Sequence, residues 1–364
     1  MKVLVIDDSA LMRKYLRQII EVEPEFEVIT ARDGEDGLEK IKRLNPDVVT
    51  LDINMPVMDG LTCLSHIMAE SPRPVIMISS LTEKGALATF EALELGAVDY
   101  VAKPGGTVSI NLKEAEDEIR AKVRVAAGAR TNHAHGLRER LRSQRTHHAQ
   151  TPPTQAAPAR ASSTTGREGL VLIGVSTGGP TTLESIITAL PGDLPWPILV
   201  AQHMPARFTS VFAQRLDKSC ALNVREVSRP TPLVPGEVLI ARGNADITVG
   251  KRGNRRVAIS TPIDSCHTWH PSVARMVSSA LEHYEASQLI CIQLTGMGDD
   301  GAVEMARAHQ QGSRTIAEAE QTAIVYGMPR ALVELGGADE VLPMDRIAGR
   351  LRTWLTTSRV GMTA

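Results

Sequence analysis

The stretch Leu170-Val171-Leu172-Ile173-Gly174-Val175-Ser176-Thr177-Gly178-Gly179-Pro180 holds three signals in a row. The unbroken apolar run from Leu170 to Val175 suits a strand buried on both faces, as in a parallel sheet. A serine set among glycines follows at once. Pro180 then opens a helix, because a first helical turn has no use for the N–H that proline lacks. Strand, tight turn and helix in that order form the repeating unit of an α/β sheet.

The alternation extends to both sides. Residues 197–202, 237–241 and 289–295 read as further buried strands, and 180–190, 205–216, 271–284 and 301–311 as helices. Residues 247–251 and 255–260 flank Gly253-Asn254 as a β-hairpin. Toward the amino terminus, strands are expected at 2–7, 26–31, 47–53, 74–79 and 98–103, with helix-like segments between them. The first of these helices sets Leu11, Tyr15, Leu16, Ile19 and Ile20 on one face. The reading is therefore α/β, with two doubly wound parallel-sheet domains over 1–127 and 168–358.

Residues 128–167 differ in kind. They carry His133, His135, His147 and His148, then a run rich in Pro, Ala, Ser and Thr, with almost nothing large and apolar. Such a segment cannot repay the entropy of ordering and is expected to be a disordered, flexible linker. Its histidines could bind a metal, but a solvated tether is the plainer reading.

A chain of 364 residues, 43% apolar and 23% charged, has the bulk for two or three cores. Its apolar runs are too short and too interrupted to span a bilayer, and Asp7 and Asp8 interrupt any leader at the start. A cytoplasmic location is expected, with no membrane insertion. The four cysteines form no C-x-x-C pair, which argues against a disulfide framework or zinc site. Basic residues number 15 against 22 acidic in 1–127, and 17 against 19 in 168–358. Neither part has the basic excess of a nucleic-acid-binding output domain.

Doubly wound sheets gather their chemistry at the carboxyl ends of the strands. Asp7 and Asp8 end the first strand, Asp52 the third, Ser79 the fourth and Lys103 the fifth. Three carboxylates brought together call for a cation, and an all-oxygen set of this charge favours Mg²⁺. A neutralised Asp52 could then attack a phosphoryl group, with Ser79 binding one of its oxygens and Lys103 offsetting its charge. Ser80 is a second hydroxyl next to Ser79. The stretches Val5-Ile6-Asp7-Asp8-Ser9, Leu51-Asp52-Ile53-Asn54-Met55-Pro56-Val57-Met58-Asp59-Gly60 and Ala102-Lys103-Pro104 resemble response-regulator receiver domains. The resemblance implies a flavodoxin-like sheet, Mg²⁺ held by Asp7, Asp8 and Asp52, and phosphorylation of Asp52 by a histidine kinase. It also implies a switch formed by Ser79 and Tyr100, and a cis peptide at Lys103-Pro104.

In the second domain, Gly174-Val175-Ser176-Thr177-Gly178 fits a G-x-S-x-G elbow, a weak motif when alone. His203 ends the next strand, in Gln202-His203-Met204-Pro205. Asp299 and Asp300 lie on the glycine-rich turn Thr295-Gly296-Met297-Gly298-Asp299-Asp300-Gly301. Together these provide a nucleophile, a base and an orienting carboxylate, in the order Ser, His, Asp. That order and these local sequences resemble the methylesterase domain of the CheB family of chemotaxis protein-glutamate methylesterases, from about Leu170 to Leu355.

The resemblance implies a Rossmann-like domain with a β-hairpin, in which Ser176, His203 and Asp300 cleave glutamyl methyl esters of chemoreceptors without a cofactor and also deamidate receptor glutamines. Thr177 and Met297 would serve the oxyanion through backbone N–H groups, and His270 would support the site. Asp300 is the choice by register over Asp299, where relatives often carry Asn. The implied partners are the cytoplasmic domains of chemoreceptors and a chemotaxis histidine kinase, with the enzyme a monomer. A receiver-gated esterase or amidase of a signalling array outside chemotaxis is the alternative. A lipase-like esterase fits the triad order less well, and a transcriptional output lacks a basic recognition helix.

Overall fold

The computed structural model describes residues 1–80, 82–103, 112–128 and 168–360. Of the linker expected over 128–167, Gly128 ends a helix, while 129–167 with its four histidines, and the Lys103-Pro104 bond through Pro104, lie outside the described residues.

In the first half, β1 (Lys2–Ile6), β2 (Glu27–Ala31), β3 (Val48–Asp52), β4 (Val75–Ser79) and β5 (Asp99–Ala102) form one sheet in the order β2-β1-β3-β4-β5, every pair parallel. Helices α1 (Ala10–Ile20), α2 (Gly34–Leu44), α3 (Gly60–Glu70), α4 (Glu83–Glu94) and α5 (Leu112–Gly128) connect and follow them. Local sequence starts four of these helices: the side chains of Ser9, Asp33, Asp59 and Thr82 each accept a backbone N–H from the first turn. β3 and β4 are buried throughout, which is why they read as continuous apolar runs. One expectation fails in α1. Leu16, Ile19 and Ile20 are buried, but Leu11 is 78% exposed, because it lies in the first turn, beyond the end of β1.

The second half holds β6 (Leu170–Val175), α6 (Gly179–Thr188), β7 (Ile198–Gln202), α7 (Ala206–Ser219), β8 (Asn223–Val227), β9 (Thr231–Pro232), β10 (Glu237–Ala241), β11 (Asp246–Arg252), β12 (Arg255–Thr261), α8 (Val273–Leu281), β13 (Leu289–Gln293), α9 (Ala302–Gln310), β14 (Arg314–Glu318), α10 (Met328–Glu334), β15 (Glu340–Leu342) and α11 (Met344–Val360). Seven strands make a parallel sheet in the order β15-β14-β13-β6-β7-β10-β8, while β11, β12 and β9 form a small antiparallel sheet. Sequence patterning missed β8, β9, β14 and β15. β8 and β15 are edge strands with polar residues, and β9 has two residues.

The chain lays β7, β10 and β8 to one side of β6, then returns to lay β13, β14 and β15 to the other. The carboxyl end of β6 is thus a topological switch point, the position at which open α/β sheets place their ligands.

The two halves touch. Phe90 of α4 stacks on Phe212 of α7 with centroids 5.5 Å apart and meets Phe208 edge-on at 6.2 Å. Tyr100 lies flat on Phe208 at 4.5 Å, and Arg215 pairs with both Glu94 and Glu184.

Candidate active site and phosphorylation pocket

Ser176 follows β6 and is 8% exposed. Its N–H donates to the Thr295 carbonyl at 2.9 Å, and its own carbonyl accepts from the Gly179 N–H at 2.8 Å and from Gln202 Nε2 at 2.9 Å. Gly178 turns the chain with φ +75°, and a Cβ there would stand 2.7 Å from Ile324. Only glycine meets both conditions without strain.

His203 follows β7, whose Gln202 pairs with Val175 across the sheet. Ser176 and His203 therefore sit side by side on adjacent strand ends. The His203 Nε2 is 2.9 Å from Asp300 Oδ2. An ionised carboxylate only accepts, so Nε2 carries the proton and Nδ1 the free lone pair. Nδ1 is buried and has no hydrogen-bond partner in the described residues. Trp269 stacks on the imidazole, centroids 5.5 Å apart and planes within 8°.

Asp300 is held from the far side by the start of α8. It accepts the Val273 N–H at 2.7 Å, the Ala274 N–H at 3.0 Å and the Ser272 hydroxyl at 3.3 Å. Burial works to raise its pKa, but the hydrogen bond and charge of His203 and the two backbone N–H groups outweigh it and bring the carboxyl below its ordinary value. Asp299 is exposed. Of the two adjacent acids, Asp300 alone meets the imidazole. Thr177 is buried and Met297 half-buried, and among the described residues neither N–H has an acceptor.

His270 lies one layer out. Its Nδ1 contacts Asp246 Oδ1 at 2.8 Å, while Arg275 and the Ser272 N–H hold the same fully buried carboxylate at 2.7 and 2.8 Å. His270 thus props the helix start that donates to Asp300. Sequence reasoning passed over Asp246, Arg275, Ser272, Trp269, Gln202 and Glu318. Only Ser272 left a signal, as a cap residue after Pro271. Glu318, fully buried at the end of β14, accepts from the Thr295 N–H at 2.8 Å and the Thr322 hydroxyl at 3.0 Å. Burial pushes its pKa up to about 7.

In the first half, Asp7, Asp8 and Asp52 each bring a carboxylate oxygen within 4.8 Å of the others. Lys103 Nζ lies 2.7 Å from Asp52 and 3.2 Å from Asp7. Burial raises the Asp52 pKa above its ordinary value despite the hydrogen bond and charge of Lys103. The Oδ2 atoms of Asp7 and Asp52 are buried and meet the Lys103 ammonium as their one polar neighbour among the described residues. Spare carboxylate lone pairs, all on oxygen, with Asp8 open to solvent, fit a Mg²⁺ ion.

Ser79 is turned toward α4: its hydroxyl accepts from Thr89 at 2.8 Å and donates to the Gly85 carbonyl at 3.2 Å. Tyr100, 4% exposed, faces α7. Ser79 and Tyr100 thus touch the surface that meets the second half. Ile324, packed over Gly178 two residues after Ser176, also packs against the first half's core.

Residues 171–351 match the family profile described as CheB methylesterase, and residues 3–113 match that of the response regulator receiver domain. A Rhodospirillum rubrum protein named protein-glutamate methylesterase/protein-glutamine glutaminase 3 is 51% identical, over 98% of this chain and 97% of its own length. A like-named protein of Carboxydothermus hydrogenoformans is 49% identical over 96% of this chain and 98% of its own. The crystal structure of the Thermotoga maritima CheB methylesterase catalytic domain covers 51% of this chain and 98% of its own, at 37% identity and a TM-score of 0.50.

Proposed function

Because this chain belongs to the CheB methylesterase family along almost its whole length, we propose that it hydrolyses glutamyl methyl esters on the cytoplasmic domains of chemoreceptors, releasing methanol, under control of its receiver domain. The observation that carries the reading is the contact of His203 Nε2 with Asp300 on the strand end next to that of Ser176, which leaves the other imidazole nitrogen without a partner among the described residues.

Ser176 Oγ attacks the ester carbonyl carbon while His203 Nδ1 takes its proton. The carbonyl oxygen gains the negative charge, and the N–H groups of Thr177 and Met297 stabilise it. As the tetrahedral adduct collapses, His203 returns the proton to the departing methoxide, and methanol leaves. Water then attacks the acyl-serine with His203 as base, freeing the glutamate and restoring Ser176. Asp300 keeps Nε2 protonated throughout. A receptor glutamine takes the same path with ammonia as leaving group, in line with the glutaminase half of the relatives' names.

Asp52 is the acceptor of a phosphoryl group from a chemotaxis histidine kinase. Mg²⁺ bound at Asp7, Asp8 and Asp52 would offset the charge of the incoming phosphoryl oxygens. Lys103 pairs with the phosphorylated side chain, and Ser79 leaves the Thr89 hydroxyl for a phosphoryl oxygen. That movement loosens α4 and Tyr100 from Phe208 and Phe212 and opens the esterase to its substrate. No helix among the described residues is long and apolar enough to cross a membrane; the enzyme acts as a cytoplasmic monomer.

The test is methanol release from methylated chemoreceptor membranes by the wild type and Ser176→Ala, with and without a small phosphodonor and Mg²⁺. Release should vanish in Ser176→Ala and rise with phosphodonor, and chelating Mg²⁺ should remove the rise alone. Equal release from both proteins would overturn the serine mechanism.

A further inference from the structure

We propose that Gln202 is a positioning residue of the esterase, whose side-chain amide ties the nucleophile's peptide to the base's peptide and thereby aims the Thr177 N–H at the oxyanion. The inference rests on the Ser176 chemistry proposed above and concerns how its geometry is set.

Gln202 is the last residue of β7 and is 1% exposed. Its Nε2 is 2.9 Å from the Ser176 carbonyl oxygen and 3.2 Å from the His203 carbonyl oxygen. An amide nitrogen has two hydrogens, so one group serves both carbonyls at once. The opposite flip would set the amide oxygen against two acceptors, so the orientation is dictated by chemistry.

The consequence lies in peptide geometry. The Ser176 carbonyl and the Thr177 N–H belong to one planar trans peptide and point in opposite directions. Pinning the carbonyl with Gln202 Nε2 and the Gly179 N–H therefore fixes the line along which the Thr177 N–H points. Oxyanion stabilisation depends on donors that are aimed before charge develops. The second bond, to the His203 carbonyl, couples that aim to the backbone that carries the base.

A packing role accounts for this residue less well. Gln202 Oε1 is buried with no hydrogen-bond partner in the described residues, and methionine would fill the same space without desolvating an unpaired acceptor. The neighbouring chain also makes room for the amide: a Cβ on residue 179 would come within 2.1 Å of that oxygen, so Gly179 is the residue that admits it. The amide is kept for its two donors.

The test compares full-length wild type, Gln202→Met and Gln202→Asn, each with phosphodonor and Mg²⁺, measuring kcat and KM for methanol release from methylated receptor membranes, with Tm as the folding control. Losing the aim of one oxyanion donor should lower kcat roughly 10- to 100-fold, somewhat less than removing it. KM should stay within about twofold, because the ground-state ester gains little from that donor. Gln202→Asn keeps the amide but is a methylene too short to reach both carbonyls, and should show the same kcat loss. It stands in for Gln202→Met if the latter does not fold. A folded variant with wild-type kcat, or with its loss confined to KM, overturns the inference. Serine-independent release by the wild type would sink the catalytic reading instead, so the two failures are distinct.

Discussion

Phe90→Ala should uncouple the esterase from its receiver. The ring is 3% exposed and its aromatic partners, Phe208 and Phe212, both lie on α7 of the hydrolase. Truncating a buried phenylalanine costs about 3–5 kcal/mol in a core. Part of that is spent inside the receiver, which leaves roughly 2–3 kcal/mol for the contact between domains, of which two aromatic pairs supply about 0.5–1.5 kcal/mol each. A loss of that size raises the open-to-closed ratio about 30- to 140-fold, at about 1.4 kcal/mol per tenfold. Basal methanol release should therefore climb until it meets the phosphorylated rate, and the stimulation by phosphodonor should shrink in proportion. The assay is methanol release with and without phosphodonor, beside Leu87→Ala, which alters an exposed residue of the same helix and should change neither rate. Unchanged basal release from a folded, phosphorylatable Phe90→Ala protein would refute control through this interface.

Two further outcomes follow from the buried acids. Asp300→Asn should lower kcat about 10³- to 10⁴-fold, because an amide facing Nε2 favours the wrong tautomer, while Asp299→Asn, altering an exposed side chain, should cost little; equal losses would mean that the register is misassigned. Glu318 titrates from an ordinary 4.5 up to about 7 in the fold. Its neutral form is therefore the one favoured by folding: the stability it allows is full below pH 4.5 and is lost as pH rises through about 7. The shift corresponds to at most about 3 kcal/mol. Glu318→Gln should remove that loss, so its stability advantage should grow between those pH values and level off above them. Urea unfolding followed by tryptophan fluorescence reports this selectively, since Trp196, Trp269 and Trp354 all lie in the hydrolase half. An advantage that is flat across the range would show that Glu318 does not titrate there.

Much of this enzyme was determined by local sequence alone. Continuous apolar runs specified the central strands β1, β3, β4, β6, β7, β10 and β13, since a strand buried on both faces needs no partner to declare itself. Strand-end polar residues identified Asp7, Asp8, Asp52 and Lys103 in one pocket, and Ser176, His203 and Asp300 in the other, because parallel sheets bring carboxyl ends to one edge. Tertiary structure alone decided the rest. Only the crossover that places β13 beside β6 brings Asp300 to His203, and only the start of α8, 27 residues earlier in the chain, holds that carboxylate. Gln202, Asp246 and Glu318 read as ordinary polar residues until folding buries them, when each must find hydrogen-bond partners that lie 26, 24 and 23 residues away. The contact between the halves is likewise invisible in the chain: Phe90, Tyr100, Phe208 and Phe212 are core-type residues of two separate domains. What turns them into an interface is a docking geometry that no local periodicity records.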